Sequence, residues 1–271
     1  MGTTSKEPSK TSCGGEHKVS CLDVFERHVQ VNTLRGLLSQ GTPGEVLPVV
    51  FTKEPSWGEE IKRHMAEYGE VTYSDEFQTR FDRKERAGFP LFRDMMATAE
   101  RRAIAAGIPF YGYTNGDIIF AEDLTLTLEH IRAAMGAGFF AAHHITKEEH
   151  DTTGHKPMMI LGRRTNFQFD TAHAAADSAG GSEKFHELFD HSKTCAVSHD
   201  YLLMARHGEL MPEYAVDYFI FTAGAIDWST FPEYIVGNVA YDQALIGHAR
   251  RAGTVVIDAT NTIHAFHQTG S

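Results

Sequence analysis

Along this chain, short apolar runs bounded by turn residues alternate with segments whose apolar residues recur at helical spacing, and that alternation limits the fold more than any other feature. Strands and helices bury side chains at different periods, so a chain that switches repeatedly between the two reads as an α/β domain. Val19 to Phe25 is expected as a first strand. Val31, Leu34, Leu37 and Leu38 then share one face of a helix that Gly41, Pro43 and Gly44 end. Val46 to Phe51 reads as a buried strand, and Ser56 with Glu59 as a capping box opening a helix that carries Ile61, Met65 and Tyr68. Pro90 suits the first position of the next helix, which Gly107 stops. Ile108 to Tyr113 is the following strand. It halts in Thr114-Asn115-Gly116-Asp117, and the apolar Ile118-Ile119-Phe120 follows at once. Leu124, Leu128, Ile131 and Met135, spaced four, three and four apart, define an amphipathic helix.

Further strands are expected at Phe139 to Ile145, Met158 to Leu161, Tyr218 to Phe221 and Val255 to Ile257. Helices are expected at Glu183 to Phe189 and at Tyr241 to Arg251, the latter closed by Gly253. Asn261 to Ser271 reads as a polar end. Met1 to Gly15 is small and polar without periodicity, so it is expected as a disordered tail, with residues 16–271 forming one domain. Its 42% hydrophobic residues suffice for a packed core. The three cysteines, Cys13, Cys21 and Cys195, form no C-x-x-C pair, so neither a disulfide framework nor a cysteine-rich zinc site is expected to hold it. No run approaches the roughly eighteen apolar residues of a membrane span, and no secretory pattern opens the chain, so a cytoplasmic protein is expected unless an anchor lies upstream. A formal charge of −11 is the wrong sign for tracking a phosphate backbone, which disfavours nucleic acid.

Three motif matches fail on physical grounds. Gly136-Ala137-Gly138-Phe139-Phe140-Ala141 fits G-x-G-x-x-A but stands between a helix and a strand, in the wrong order to cradle a phosphate. His186 and His191, around Glu187, are five positions apart, about 140° around a helix, and would not share a metal. Ser198, His199 and Asp200 are adjacent, so they cannot hydrogen-bond in triad order.

Asp117 is the better candidate for chemistry. It follows an apolar strand and a glycine, and in open α/β sheets ligands gather at the carboxyl ends of strands. The plain alternative is a turn aspartate bonded to its own backbone. Around it runs an ordered set of motifs: Gln30-x-Asn32-Thr33-Leu34-Arg35, Val46-Leu47-Pro48-Val49-Val50-Phe51, Gly88-Phe89-Pro90-Leu91, Tyr113-Thr114-Asn115-Gly116-Asp117-Ile118-Ile119, Leu161-Gly162-Arg163-Arg164-x-Asn166 and Asp217-Tyr218-Phe219-Ile220-Phe221. Val236-Gly237-Asn238-x-x-Tyr241-Asp242-x-x-Leu245-Ile246, Ile257-Asp258-Ala259-Thr260 and His267-Gln268 close it. This order, from about residue 19 to 268, resembles a glycosyltransferase-like family of the GT-A, nucleotide-diphospho-sugar transferase, class.

The resemblance implies an α/β fold with a mostly parallel central sheet and helices on both faces, an α/β/α sandwich. About residues 16–124 would form a nucleotide-binding half and about 125–271 an acceptor half. It also implies a sugar transferase that uses a nucleoside diphosphate donor, a UDP-sugar by analogy, with Mn²⁺ or Mg²⁺ on the diphosphate. Asn115-Gly116-Asp117 would occupy the family's Asp-x-Asp signature, with the neutral Asn115 at its first acidic position. Asp117 and a C-terminal histidine, His267 or else His264, would hold the cation. Arg163 and Arg164 would pair with the diphosphate through their guanidinium forks, although a solvated basic pair or a structural salt bridge fits them equally. Asp242 would take the acceptor's proton, against the alternative that it merely complements a helix dipole. Asp217 and Trp228 are candidates to border the acceptor, with a core position the plainer reading of Trp228. The competing functional expectation is a nucleotide-sugar or carbohydrate-binding module without turnover. A histidine-rich hydrolase lacks any local spacing that gathers three ligands.

Overall fold

The computed structural model describes residues 33–40, 45–80, 89–137, 156–168, 208–237 and 241–269. The tail, the strands expected at Val19 to Phe25 and Phe139 to Ile145, the helix expected at Glu183 to Phe189, the three cysteines and the Ser198-His199-Asp200 run all lie outside the described residues. Among these, residues 33–38 form a helical segment (α1), and Pro55–Met65 (α2) connects two parallel strands, β1 (Val49–Phe51) and β2 (Thr72–Ser74). Leu34 of α1 packs with Ile61 and Met65 of α2 and with Val71, which seals this β-α-β unit through the helical spacing seen in the sequence. The capping box does not form: α2 starts at Pro55, and the N-cap Glu54 makes no side-chain cap bond. Pro90 also departs from expectation. Phe89–Pro90 (β4) pairs with Thr79–Arg80 (β3), and the helix α3 (Phe92–Ala106) begins two residues later. Its C-terminal stop is as read, with Gly107 at φ 68° in the left-handed region that glycine adopts without strain.

The central sheet overturns the fold expectation. It contains β5 (Tyr111–Thr114), β6 (Ile118–Phe120), β7 (Met158–Gln168), β8 (Glu209–Leu210), β9 (Val216–Phe221), β10 (Val255–Asp258) and β11 (Ala265–Thr269), with the path β5-β9-β7-β11-β6 and with β8 and β10 also on β7. Pairings β5–β9, β7–β9, β7–β8 and β11–β6 are antiparallel, and only β10 and β11 run parallel to β7. A mixed, mostly antiparallel sheet replaces the expected parallel α/β/α sandwich. The sheet is also curled. In a flat one, the four strand spacings from β5 to β6 would span about 19 Å. The link from Thr114 to Ile118, with only residues 115–117 between, reaches about 14 Å at full extension. The edges must therefore bend toward each other, and Asn115-Gly116-Asp117 bridges them.

Every residue of β9 is buried, so the strand serves two cores. Phe219 and Phe221 join Phe92, Met95 and Met96 of α3 and Tyr241, Leu245 and Ala249 of the helix α5 (Tyr241–Arg251). The Phe92 ring meets Tyr113, Phe219, Trp228, Phe231 and Tyr241 within 6.4 Å, in edge or tilted contacts. Trp228 is thus a core residue, its indole N–H donating to the Tyr111 hydroxyl at 2.9 Å. Tyr218 and Ile220 pack instead with Ile118, Phe120, Ala265 and Leu124 of the helix α4 (Asp123–Gly136). Gly162 of β7 makes room for Tyr218: a Cβ there would lie 1.9 Å from the phenol oxygen.

The C-terminal segment is not a polar end. As β11 it lies between β7 and β6, with Ala265 and Phe266 buried and Ile263 fully so just before it. Among the described residues no helix is long and apolar enough to cross a membrane.

Candidate functional site

The curl brings charged residues from four parts of the chain together. Asp117 ends the bridging segment, and its Oδ2 lies 2.9 Å from Nε2 of His267 on β11. His267 stands in register with Ile118 of β6 and Asn166 of β7, so strand pairing fixes it rather than the return of a loose tail. At the other end of the bridge, Asn115 donates from Nδ2 to Oδ1 of Asp217 at 2.9 Å and accepts at its own Oδ1 from the Tyr113 hydroxyl at 2.8 Å. Its amide is occupied by protein on both sides, which makes it a positioning group between strands. The Thr33 hydroxyl of α1 donates to the Gly116 carbonyl at 2.9 Å and ties the first helix to the same bridge.

Asp217 lies at the centre. On β7, Gly162 pairs with Tyr218 and Arg163 with Val216, which leaves Asp217 as the extra residue of a β-bulge. Bulges re-aim a side chain that regular alternation would direct elsewhere. Arg164 donates to Asp217 Oδ1 at 2.7 Å and, through Nε, to Asn166 Oδ1 at 2.9 Å. Burial pushes the Asp217 carboxyl above the usual carboxylate range. Arg164 and, less strongly, His267 oppose that push, and Asp117 adds to it. Burial likewise raises the phenol of Tyr113, with Tyr241, Asp117 and Asp217 adding to it, and that of Tyr241, where Asp217, Asp242 and Asp117 add and the hydrogen bond with Tyr113 opposes, so both rings are neutral neighbours of the cluster.

Among the described residues, several polar atoms of the cluster are buried without a hydrogen-bond partner, namely Oδ1 of Asp117, Oδ2 of Asp217 and Nδ1 of His267, as is Nε of the adjacent Arg163. Such atoms are rare in folded proteins, and each calls for an explanation. Asp117 nevertheless keeps 37% of its side chain exposed, against 16% for His267. It is neither turned into an apolar core nor isolated in solvent.

Among the expected site residues, Asn115, Asp117, Arg164 and His267 therefore meet. Arg163 does not join them. Neighbours on a strand face opposite sides, and Arg163 donates to the Met211 carbonyl at 3.4 Å, while its backbone N–H donates to the Thr260 hydroxyl at 3.0 Å. Asp242 stands in the first turn of α5, where its Oδ1 accepts the N–H of Gln243 at 2.8 Å. Its charge reaches the neighbouring Tyr241 phenol. His264 is taken by Asp123 at the start of α4, through its ring and its backbone N–H. Asp217, expected only at the border of the acceptor, is the residue whose central position the sequence hides. Its signal is the lone charged residue in the otherwise apolar run Val216–Phe221.

Among the described residues no group of three His, Cys, Asp or Glu side chains is gathered for a metal. The Asp117 carboxylate suits a magnesium- or manganese-like cation, which is held through one or two carboxylates and completes its shell with substrate phosphates and water; His267 would add a nitrogen ligand only where its Nε2 gives up the contact with Asp117. The unpartnered Asp117 Oδ1 is the free oxygen such an ion requires. Comparison with models of known protein families, with curated proteins and with solved structures gives no match to this chain.

Proposed function

We propose that this protein is a nucleotide-sugar-dependent glycosyltransferase, transferring a sugar from a nucleoside diphosphate, most simply UDP, to an acceptor hydroxyl. The carrying observation is the Asp117–His267 pair at 2.9 Å, with buried, unpartnered oxygens on Asp117 and on Asp217 of the same cluster. The ordered motifs of the sequence support the same reading. It does not lean on strand direction, because function belongs to the site rather than to the fold.

In the reaction the acceptor oxygen bonds to the anomeric carbon as that carbon's bond to the diphosphate breaks, and the acceptor proton must go to a base. Asp242 is the proposed base. It is half-buried beside Tyr241, and one carboxylate oxygen is anchored by the Gln243 N–H while the carboxylate remains an acceptor. Asp117 and His267 would hold a divalent cation against the donor. Bound there, the cation would neutralise charge developing on the leaving diphosphate. Arg164 and Asn115 hold Asp217 in place, and Tyr113 and Tyr241 close the cluster with neutral side chains.

A thermal-shift screen of UDP-, GDP- and ADP-sugars with and without Mn²⁺ tests the reading. A donor at a hundred times its dissociation constant adds about 2.7 kcal/mol of stability. A metal-dependent hit with slow release of free sugar is expected. Binding without turnover on any acceptor would favour a binding module, and no stabilisation by any nucleotide sugar would sink the proposal.

A further inference from the structure

The transfer reaction as derived assigns no ligand contact to Asp217, yet no other carboxylate in the cluster is so constrained. The residue is 6% exposed. Two donors from two different elements fix Oδ1, Arg164 at 2.7 Å and Asn115 at 2.9 Å, so the carboxylate cannot rotate without losing both. Oδ2 is then held, buried and without a partner among the described residues, in the cluster that also holds Asp117 and His267. Leaving a buried acceptor unsatisfied is costly, so its natural complement is a donor supplied by a ligand.

The chemistry of that donor follows from the surroundings. An ionised carboxylate only accepts. Its charge is already balanced by the Arg164 guanidinium, so a second cation would be in excess, whereas a neutral hydroxyl matches. Asp117 and His267, in the same cluster, are the groups assigned to the diphosphate of the donor, whose two covalent neighbours are the transferred sugar and the ribose of the nucleoside; only the sugar is absent from UDP, so titration of UDP alone separates the two. We propose that Oδ2 of Asp217 accepts a hydrogen bond from one hydroxyl of the donor sugar and thereby determines which sugar the site takes. This assignment rests on the glycosyltransferase reading. A β-bulge suits the role, since the extra residue reorients one side chain while leaving the pairing of Tyr218 and Val216 intact.

The test is calorimetric titration of UDP, UDP-glucose, UDP-galactose and UDP-N-acetylglucosamine, with Mn²⁺, into the full chain and into Asp217→Asn and Asp217→Ala. The expected result is discrimination among the sugars by the unsubstituted protein that falls at least about tenfold in both variants, because a site built to bond a hydroxyl rejects ligands lacking it. Affinity for UDP alone should stay within about threefold, a shift of under 1 kcal/mol. Discrimination that survives substitution, or UDP binding lost together with it, would overturn the assignment. So would indifference of the unsubstituted protein to the sugar. Should the variants not fold, single-position deoxy analogues of the preferred UDP-sugar, titrated into the unsubstituted protein, decide the matter. Removal of one hydroxyl should weaken binding at least about tenfold, and uniform affinity across the series would refute the proposal. If the unsubstituted protein binds neither UDP nor any UDP-sugar, the glycosyltransferase reading itself has failed.

Discussion

Replacing Arg164 with methionine should destabilise the protein mainly by stranding Asp217. The arginine is 22% exposed on its side chain and the aspartate 8%, so this is a largely buried ion pair. Removing one partner of such a pair costs about 3–5 kcal/mol, because the remaining charge stays desolvated. The lower end applies, about 3 kcal/mol, since Asn115 still donates to Oδ1 and the carboxyl can relieve itself by taking a proton. That last route sets the pH dependence. Asp217 is already raised above the unfolded carboxylate range by burial, so the folded state binds its proton more tightly than the unfolded state does. Its contribution to stability is therefore largest below the unfolded value and is lost as pH rises through the folded value. Without Arg164, the chief lowering influence disappears and the folded value climbs further. The variant should lose most near neutrality and progressively less on acidification. Urea unfolding of both proteins across that range measures it. A loss under about 1 kcal/mol near neutral pH, the level of an exposed pair, would show that Arg164 does not neutralise a buried charge, as would a deficit that does not shrink in acid.

Gly162→Ala should cost about 1–3 kcal/mol by overpacking, since its Cβ would strike the buried Tyr218 phenol, and Tyr218→Phe should recover part of that loss in a double-mutant cycle. Deleting residues 263–271 removes the strand between β7 and β6 along with buried Ile263, Ala265 and Phe266, so cooperative thermal unfolding should vanish; a truncated chain that melts like the full one would contradict the sheet order. Asp242→Asn should lower kcat by about two orders of magnitude with donor affinity unchanged. Equal losses in both would leave Asp242 as a helix-terminal carboxylate only.

Local patterning was enough for elements that bury one face against the rest. The spacing of Leu124, Leu128 and Ile131 forecast α4, and Gly107 marked the end of α3 through its φ of 68°. Strand direction was not legible, because a buried run looks the same in parallel and antiparallel pairings. The second half of β7 escapes for a related reason: Arg163, Arg164 and Asn166 interrupt its apolar pattern, Arg163 and Asn166 bonding to Met211 and Arg164 to Asp217 within the cluster. β11 was hidden similarly, with Ala265 and Phe266 buried in succession beside polar His264 and His267. Motif resemblance pairs Asp117 with a C-terminal histidine, His267 or else His264. That Asp117 and His267 meet depends on a sheet curl that only long-range pairing produces.

Whether Asp117 and His267 would hold a divalent cation on a nucleoside diphosphate sugar is decided by titrating UDP-sugars into the protein and into Asp117→Ala, with Mn²⁺ present and absent. Metal-dependent binding is expected of the unsubstituted protein. In Asp117→Ala, that dependence should be lost and turnover should fall by about two to three orders of magnitude, with the thermal midpoint little changed. Equal binding and turnover in both proteins, or binding indifferent to Mn²⁺, would contradict the cation site.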